Sequence, residues 1–270
     1  VVGTYGAHSV QVSQTTAFHL DLTDAAALQD AMESVKPDAV MHLAALSKPN
    51  LCETDPDLSH RVNVVATEYL ATLCAEVHIP FVFTSSDMVF DGKHAPYGEQ
   101  DWVAPVNRYG EHKAEAERRV LVRHPHATVC RMPLMYGRSP AEPNFLQQFL
   151  RTLHRGEPLR LFVDEFRTPV SGQDGAAGLL LALESATTGL LHLGGRERLS
   201  RYDFGVIMAQ VLSLPPEQLH PCSQADVPMA AARPSDVSLT SDRARALGYH
   251  PRLVAAALAE MRSPHLEAPS

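Results

Sequence analysis

The chain has 270 residues, 45 % hydrophobic and 20 % charged, a globular composition that excludes disordered and fibrous classes. Its net charge of −8 comes without any run of Lys or Arg, so neither nucleic acid nor a membrane surface is expected as a partner. No apolar stretch reaches the roughly 18 residues of a membrane span, the start carries no basic-then-apolar leader, and Cys52, Cys74, Cys130 and Cys222 lie far apart with no CxxC pair. That pattern speaks against a zinc site or disulfide framework and makes a reducing cytoplasm the expected location.

Short β-branched runs alternate with longer helical patterns. Residues 1–5 and 17–20 read as strands, and Thr23 as the N-cap of a helix with Leu28, Ala31, Met32 and Val35 on one face. A strand is expected over 39–43. One helix follows over about 56–77, with Leu58, Val62, Val65, Tyr69, Leu70 and Leu73 at helical spacing. Next come a strand over 81–85, a charged helix over 107–122 and a strand over 127–131. After Pro133 the rhythm loosens, with 173–185 and 189–193 expected to return to the sheet. Strands apolar on both faces and separated by helices imply a parallel sheet covered on both sides, hence a doubly wound α/β fold. Ligands of such sheets bind beyond the carboxyl ends of the strands. That directs attention to Asp21, Ala44 and Ala45, Ser85-Ser86-Asp87, and Arg131 with Met132 and Pro133.

Tyr109 and Lys113 stand four apart on one predicted helix, so both side chains share a face one turn apart. With seven tyrosines and four lysines, such a pair arises by chance about one time in ten. An ammonium near a phenol favours the phenolate, and a tyrosine tuned in this way can exchange a proton with a substrate oxygen at neutral pH. Ser86 ends a strand 23 residues earlier, where its hydroxyl can polarise a carbonyl or merely terminate the strand. Asn63 sits mid-helix, either holding a water near Lys113 or facing solvent. The fourteen histidines form no HxxxH pair and a single HxH, His124-Pro125-His126, and they do not cluster with Cys, so no metal is expected. Arg167, Arg196 and Arg233 are candidates to clamp a diphosphate.

The ordered segments His19-Leu-Asp21-Leu-Thr-Asp24, His42-Leu-Ala44-Ala45, Val62-Asn63-Val64, Thr84-Ser-Ser-Asp-Met-Val-Phe-Asp-Gly92, Tyr109-x3-Lys113 and Arg131-Met-Pro-Leu-Met-Tyr-Gly137 resemble an extended short-chain dehydrogenase/reductase. Phe166-Arg-Thr-Pro169, Asp174, Gly194-Gly195 and Arg233-Pro234 continue a likeness closest to the dTDP-4-dehydrorhamnose reductase group. The resemblance implies a Rossmann-like cofactor domain over 1–135 plus about 169–193, and a smaller substrate lobe over about 136–168 and 194–270. It implies Tyr109 as proton donor, Lys113 on the nicotinamide ribose, Ser86 on the carbonyl and Asn63 in the proton relay. Asp21, Leu22, Leu43, Ala44, Ala45, Ser85 and Met132 are implied to border NADP or NAD, with a slight lean to NADPH because no acidic residue follows the first strand. Asp87, Arg167 and Arg233 are implied to meet a nucleotide-sugar substrate, and a homodimer is possible for such a chain.

Sugar-nucleotide dehydratases of this superfamily carry an acidic pair where this chain has Asp87-Met88, and epimerases carry Asn where it has Leu134. Simple reduction of a 4-keto-deoxysugar needs neither group. The rhamnose reductases commonly have Trp at the Leu134 position, so the sugar is left open. The alternatives are a nucleotide-sugar epimerase, or a non-catalytic binding subunit such as the methionine adenosyltransferase beta subunit of the same superfamily. Family members begin with a strand and a glycine-rich turn for the pyrophosphate. The chain starts at what should be the second strand, and about 30 residues carrying that turn are expected ahead of it. Gly172-Gln-Asp-Gly175-Ala-Ala-Gly178 imitates the turn, but the preceding segment is a poor strand. A helix start with Asp174 as cap is expected there instead.

Overall fold

Four strands stand side by side in the order β10-β5-β4-β3, every neighbouring pair parallel. They are β3 (Val40–His42), β4 (Phe81–Ser86), β5 (Thr128–Met132) and β10 (Gly189–His192) in a computed structural model that describes residues 1–6, 14–139 and 143–261. Strands β1 (Val2–Tyr5) and β2 (Thr16–His19) form a second parallel ladder, and among the described residues no ladder joins β1 to β3. The return of the chain at 189–193 to the sheet edge is as expected.

The alternation of side chains along β4 and β5 sorts the core into two layers. Phe81, Phe83 and Val129 face one side, where they meet Leu70, Ala71 and Leu73 of α4 (Ala66–Glu76) and Ala116 and Val120 of α5 (Arg108–Arg123). Val82, Cys130 and Met132 face the other, against Leu179 and Ala182 of α7 (Gly172–Glu184) and against Tyr249. Helices on both faces make the sheet doubly wound. A third cluster gathers α6 (Phe145–His154), β7 (Leu159–Phe162), α8 (Arg201–Leu212), β12 (Leu219–Cys222) and α10 (Val254–Glu260) around Phe204, Met208 and Leu258. Short strands stitch this region together: β6 (Met135–Tyr136) pairs β9 (Val170–Ser171), and β8 (Phe166–Arg167) pairs β11 (Leu199–Ser200). No helix among the described residues is long and apolar enough to cross a membrane.

Several local expectations shift. Asp24, rather than Thr23, caps α1 (Ala25–Val35), because its carboxylate accepts from the Ala26 and Ala27 N–H groups while Thr23 turns back to Asp21. The single helix expected over 56–77 is α3 (Pro56–His60), a π-helical turn over Arg61–Val65 and then α4. A further helix, α2 (Pro49–Thr54), was not anticipated. At α7 the cap is Ser171, whose hydroxyl accepts from Asp174 N at 3.1 Å and donates to the Asp174 carboxylate at 2.7 Å.

Candidate active site

Strand β4 ends on Ser85 and Ser86, and the chain then tightens into a 3-10 turn over Asp87–Val89. Ser86 starts that turn by accepting from Met88 N at 3.2 Å and donating to Asp87 Oδ1 at 3.2 Å. Helix α5 arrives over this turn. Asn107 caps it through Gly110 N at 3.0 Å and ties it to the Ala232 carbonyl at 2.8 Å. The approach needs Gly110, since a Cβ there would lie 2.2 Å from the Met88 carbonyl oxygen. Tyr109 is thereby packed against Cys52 and Met88, with Ser86 within hydrogen-bonding reach of its phenol.

Lys113, one turn on, is buried and donates to the Thr84 carbonyl at 2.6 Å while lying over the Phe83 ring. Burial pulls its pKa down to about 7, and Glu117 resists that fall. The tuning of Tyr109 differs from the sequence expectation. Burial pushes the phenol up to about 12; Ser86 and Arg167 draw it down, and Asp87 and Cys52 add to the rise. The lysine is engaged by the backbone of β4, and it is desolvated enough to hold its own proton weakly.

Asn63 does not face solvent. It lies in the π-helical turn, 1 % exposed, accepting from Leu46 N at 2.9 Å and donating to Leu46 O at 3.1 Å and Ser59 Oγ at 3.2 Å. The oxygen and the nitrogen of its side-chain amide therefore both hold the segment after β3 against the helix; π turns often mark functional sites. Ser59 in turn meets His112 Nδ1 at 2.8 Å. Sequence reading missed this Ser59–His112 pair and Cys52, because partners 53 residues apart leave no spacing signal.

The residues assigned to cofactor sit at the ends of their strands. Asp21 is exposed after β2, with Thr23 N–H and hydroxyl bonds to its carboxylate lowering its pKa. Leu22 is half-buried; after β3, Leu43 and Ala44 are exposed and Ala45 half-buried. Ser85 is buried with a hydroxyl that has no partner among the described residues. Met132 is buried, closing β5 against α7.

Of the residues assigned to substrate, Asp87 and Arg167 are engaged with each other. Arg167 Nη1 meets both Asp87 oxygens at 2.6 and 2.7 Å, and both side chains are buried. Arg233 is half-buried, its guanidinium pulled below the ordinary value by burial against the upward pull of Glu165. Arg196 is exposed and lines a separate cavity of about 440 Å³ with Arg245, Tyr249, His250 and Pro251. Arg131, at the end of β5, is spent on a buried two-bond pair with Glu117 at 2.9 and 2.7 Å.

A doubly wound sheet with a buried Ser–Tyr–Lys set at the end of a central strand defines an extended short-chain dehydrogenase/reductase-like protein. Residues 3–265 match the RmlD substrate binding domain family, and the chain belongs to that family. It is 32 % identical over 241 residues to the methionine adenosyltransferase 2 subunit beta of Xenopus laevis, covering 86 % of this chain and 72 % of the relative. It is 30 % identical over 239 residues to a probable low-salt glycan biosynthesis reductase, Agl14, of Haloferax volcanii, covering 87 % and 79 %. Among solved structures, a dTDP-4-dehydrorhamnose reductase from Bacillus anthracis in complex with NADP superposes with a TM-score of 0.86 at 22 % identity, covering 92 % of this chain and 89 % of that one.

Proposed function

We propose that this protein is an NAD(P)H-dependent reductase of the 4-keto group of a nucleotide-linked deoxysugar. The observation that carries the reading is the convergence of Ser86, Tyr109 and Lys113 at the carboxyl end of β4, with the phenol held protonated by burial. A reduced nicotinamide, when bound there, would supply the hydride for the carbonyl carbon. Tyr109 gives its proton to the carbonyl oxygen, Ser86 orients that oxygen, and Lys113 holds the ribose and the Thr84 backbone. The orphan Ser85 hydroxyl and the exposed step Leu43-Ala44 fit a cofactor bound across the ends of β3 and β4. Asp21, Leu22, Ala45 and Met132 border it in this reading, with Asn63 fixing the segment at Leu46. The lobe of about 136–168 and 194–270 takes the nucleotide sugar, with Arg233 on its anionic part. NADPH is the favoured donor, in keeping with the NADP bound by the Bacillus anthracis reductase.

The purified full-length protein is mixed with NADPH or NADH and a nucleotide-linked 4-keto-6-deoxyhexose, and the reduced-nicotinamide absorbance is followed. Sugar-dependent loss of absorbance with formation of the alcohol is expected; no consumption with either cofactor refutes the reading.

The identity to methionine adenosyltransferase 2 subunit beta favours a second reading, a non-catalytic subunit that binds a partner enzyme. Its mark is stable association with a methionine adenosyltransferase catalytic subunit without any sugar-dependent oxidation of NADPH.

A further inference from the structure

We propose that Arg167 is a positioning residue that decides which proton chemistry this site performs: reaching in from β8, it clamps Asp87 and reserves proton transfer for Tyr109. The inference rests on the reductase reading and deepens it.

Asp87 follows Ser86 directly and is fully buried beside the phenol. A free carboxyl at that position is a second acid or base. Elimination of water from a sugar needs such a second group, whereas reduction of a ketone consumes one hydride and one proton and needs a single donor. The structure engages both oxygens of this carboxylate. One guanidinium nitrogen of Arg167 spans both of its oxygens at 2.6 and 2.7 Å, and Ser86 Oγ donates to Oδ1. The other terminal nitrogen rests on Met88 Sδ at 2.7 Å, so the residue after Asp87 serves as a soft, uncharged seat for the clamp.

The clamp is built from the other side of the molecule. Arg167 lies opposite Leu199 in the β8–β11 ladder, and its guanidinium is backed by Glu165 at 3.7 Å, which also holds Arg201 at 3.0 Å. Its backbone is thus set independently of β4. Asp87 is 0 % and Arg167 6 % exposed; burial pushes the Asp87 carboxyl above its ordinary value and Arg167 pulls it back, so without the guanidinium the carboxyl rises further and becomes a proton-bearing group. The groups facing Tyr109 are Ser86, Asp87, Arg167 and Cys52. The carboxylate and the guanidinium act on the phenol in opposite directions, so removing one alone unbalances it.

The test is a set of four proteins: wild type, Asp87→Asn, Arg167→Met and the double variant, with Arg167→Lys as the conservative control. Tyr109 is titrated by NMR of ring-labelled tyrosine, and kcat and KM for NADPH are measured against pH. Asp87→Asn, nearly isosteric, is expected to lower the phenol pKa by about one unit, because the guanidinium remains without its anion. Arg167→Met is expected to cut kcat at least tenfold at unchanged KM for NADPH and to add a second ionisation to the pH profile. The double variant returns to one ionisation, and Arg167→Lys retains part of the wild-type kcat. A purely structural role lowers stability and rate without moving the phenol or the shape of the profile, and that result overturns the proposal. If wild type reduces no nucleotide sugar, the reductase reading falls. The titration still decides on the clamp: a phenol unmoved by Asp87→Asn refutes it, and a lowered one supports it.

Discussion

The Lys113 ammonium donates to the Thr84 carbonyl oxygen at 2.6 Å and lies 4.1 Å from the centre of the Phe83 ring, so it is held by strand β4 itself. This arrangement keeps a cation inside the protein at the exit of a central strand, where its own burial drives its pKa from 10.5 to about 7.

Between pH 7 and 10.5 the unfolded chain therefore holds a proton that the folded chain has released, and stability rises with pH through that window. The burden of the buried charge is fullest below pH 7. Lys113→Met is expected to raise the thermal midpoint at pH 6 by several degrees, on the order of 1–3 kcal/mol, with the gain shrinking toward pH 10. Ketone reduction is lost in the same variant. Thermal unfolding at a series of pH values checks this.

Tyr109→Phe removes the proton donor and leaves the packing against Cys52 and Met88 in place. Turnover is expected to fall by about 10²–10⁴-fold, with NADPH affinity unchanged within about twofold, as measured by steady-state kinetics and nicotinamide fluorescence. Unchanged turnover would refute the assignment of Tyr109.

Gly110→Ala drives a methyl group to 2.2 Å from the Met88 carbonyl oxygen and 2.8 Å from Pro105 Cβ. Helix α5 must then lift off the Asp87–Val89 turn, carrying Tyr109 with it. A loss of about 1–3 kcal/mol in urea denaturation is expected, together with a lower kcat.

Glu117→Gln leaves the Arg131 guanidinium buried with its two-bond partner neutralised. Breaking a buried pair in this way costs about 3–5 kcal/mol. Because Glu117 also holds the Lys113 pKa up, the lysine is expected to titrate lower still in this variant. Chemical denaturation and an NMR titration of Lys113 read the two effects separately.

The alternation of apolar strands and amphipathic helices was enough to predict the doubly wound sheet, and β4, β5, β10 and α5 lie within a residue or two of their expected bounds. The Tyr109–Lys113 pair was legible for the same reason: a spacing of four is a local property of one helix. The π-helical turn around Asn63 was not, since an insertion of one residue into a helical ladder barely changes an apolar pattern.

Periodicity, strand-end chemistry and motif order are local along the chain, and they alone determined the fold class and singled out Ser86, Tyr109 and Lys113 as the candidate set. What only the tertiary structure decided is how the charges pair. Asp87 with Arg167 and Glu117 with Arg131 are 80 and 14 residues apart in sequence, and each guanidinium had other carboxylates to choose from. The choice follows from desolvation: once the strands bury these groups, a charge without a counter-ion costs more than any local preference supplies, and the fold places the partner.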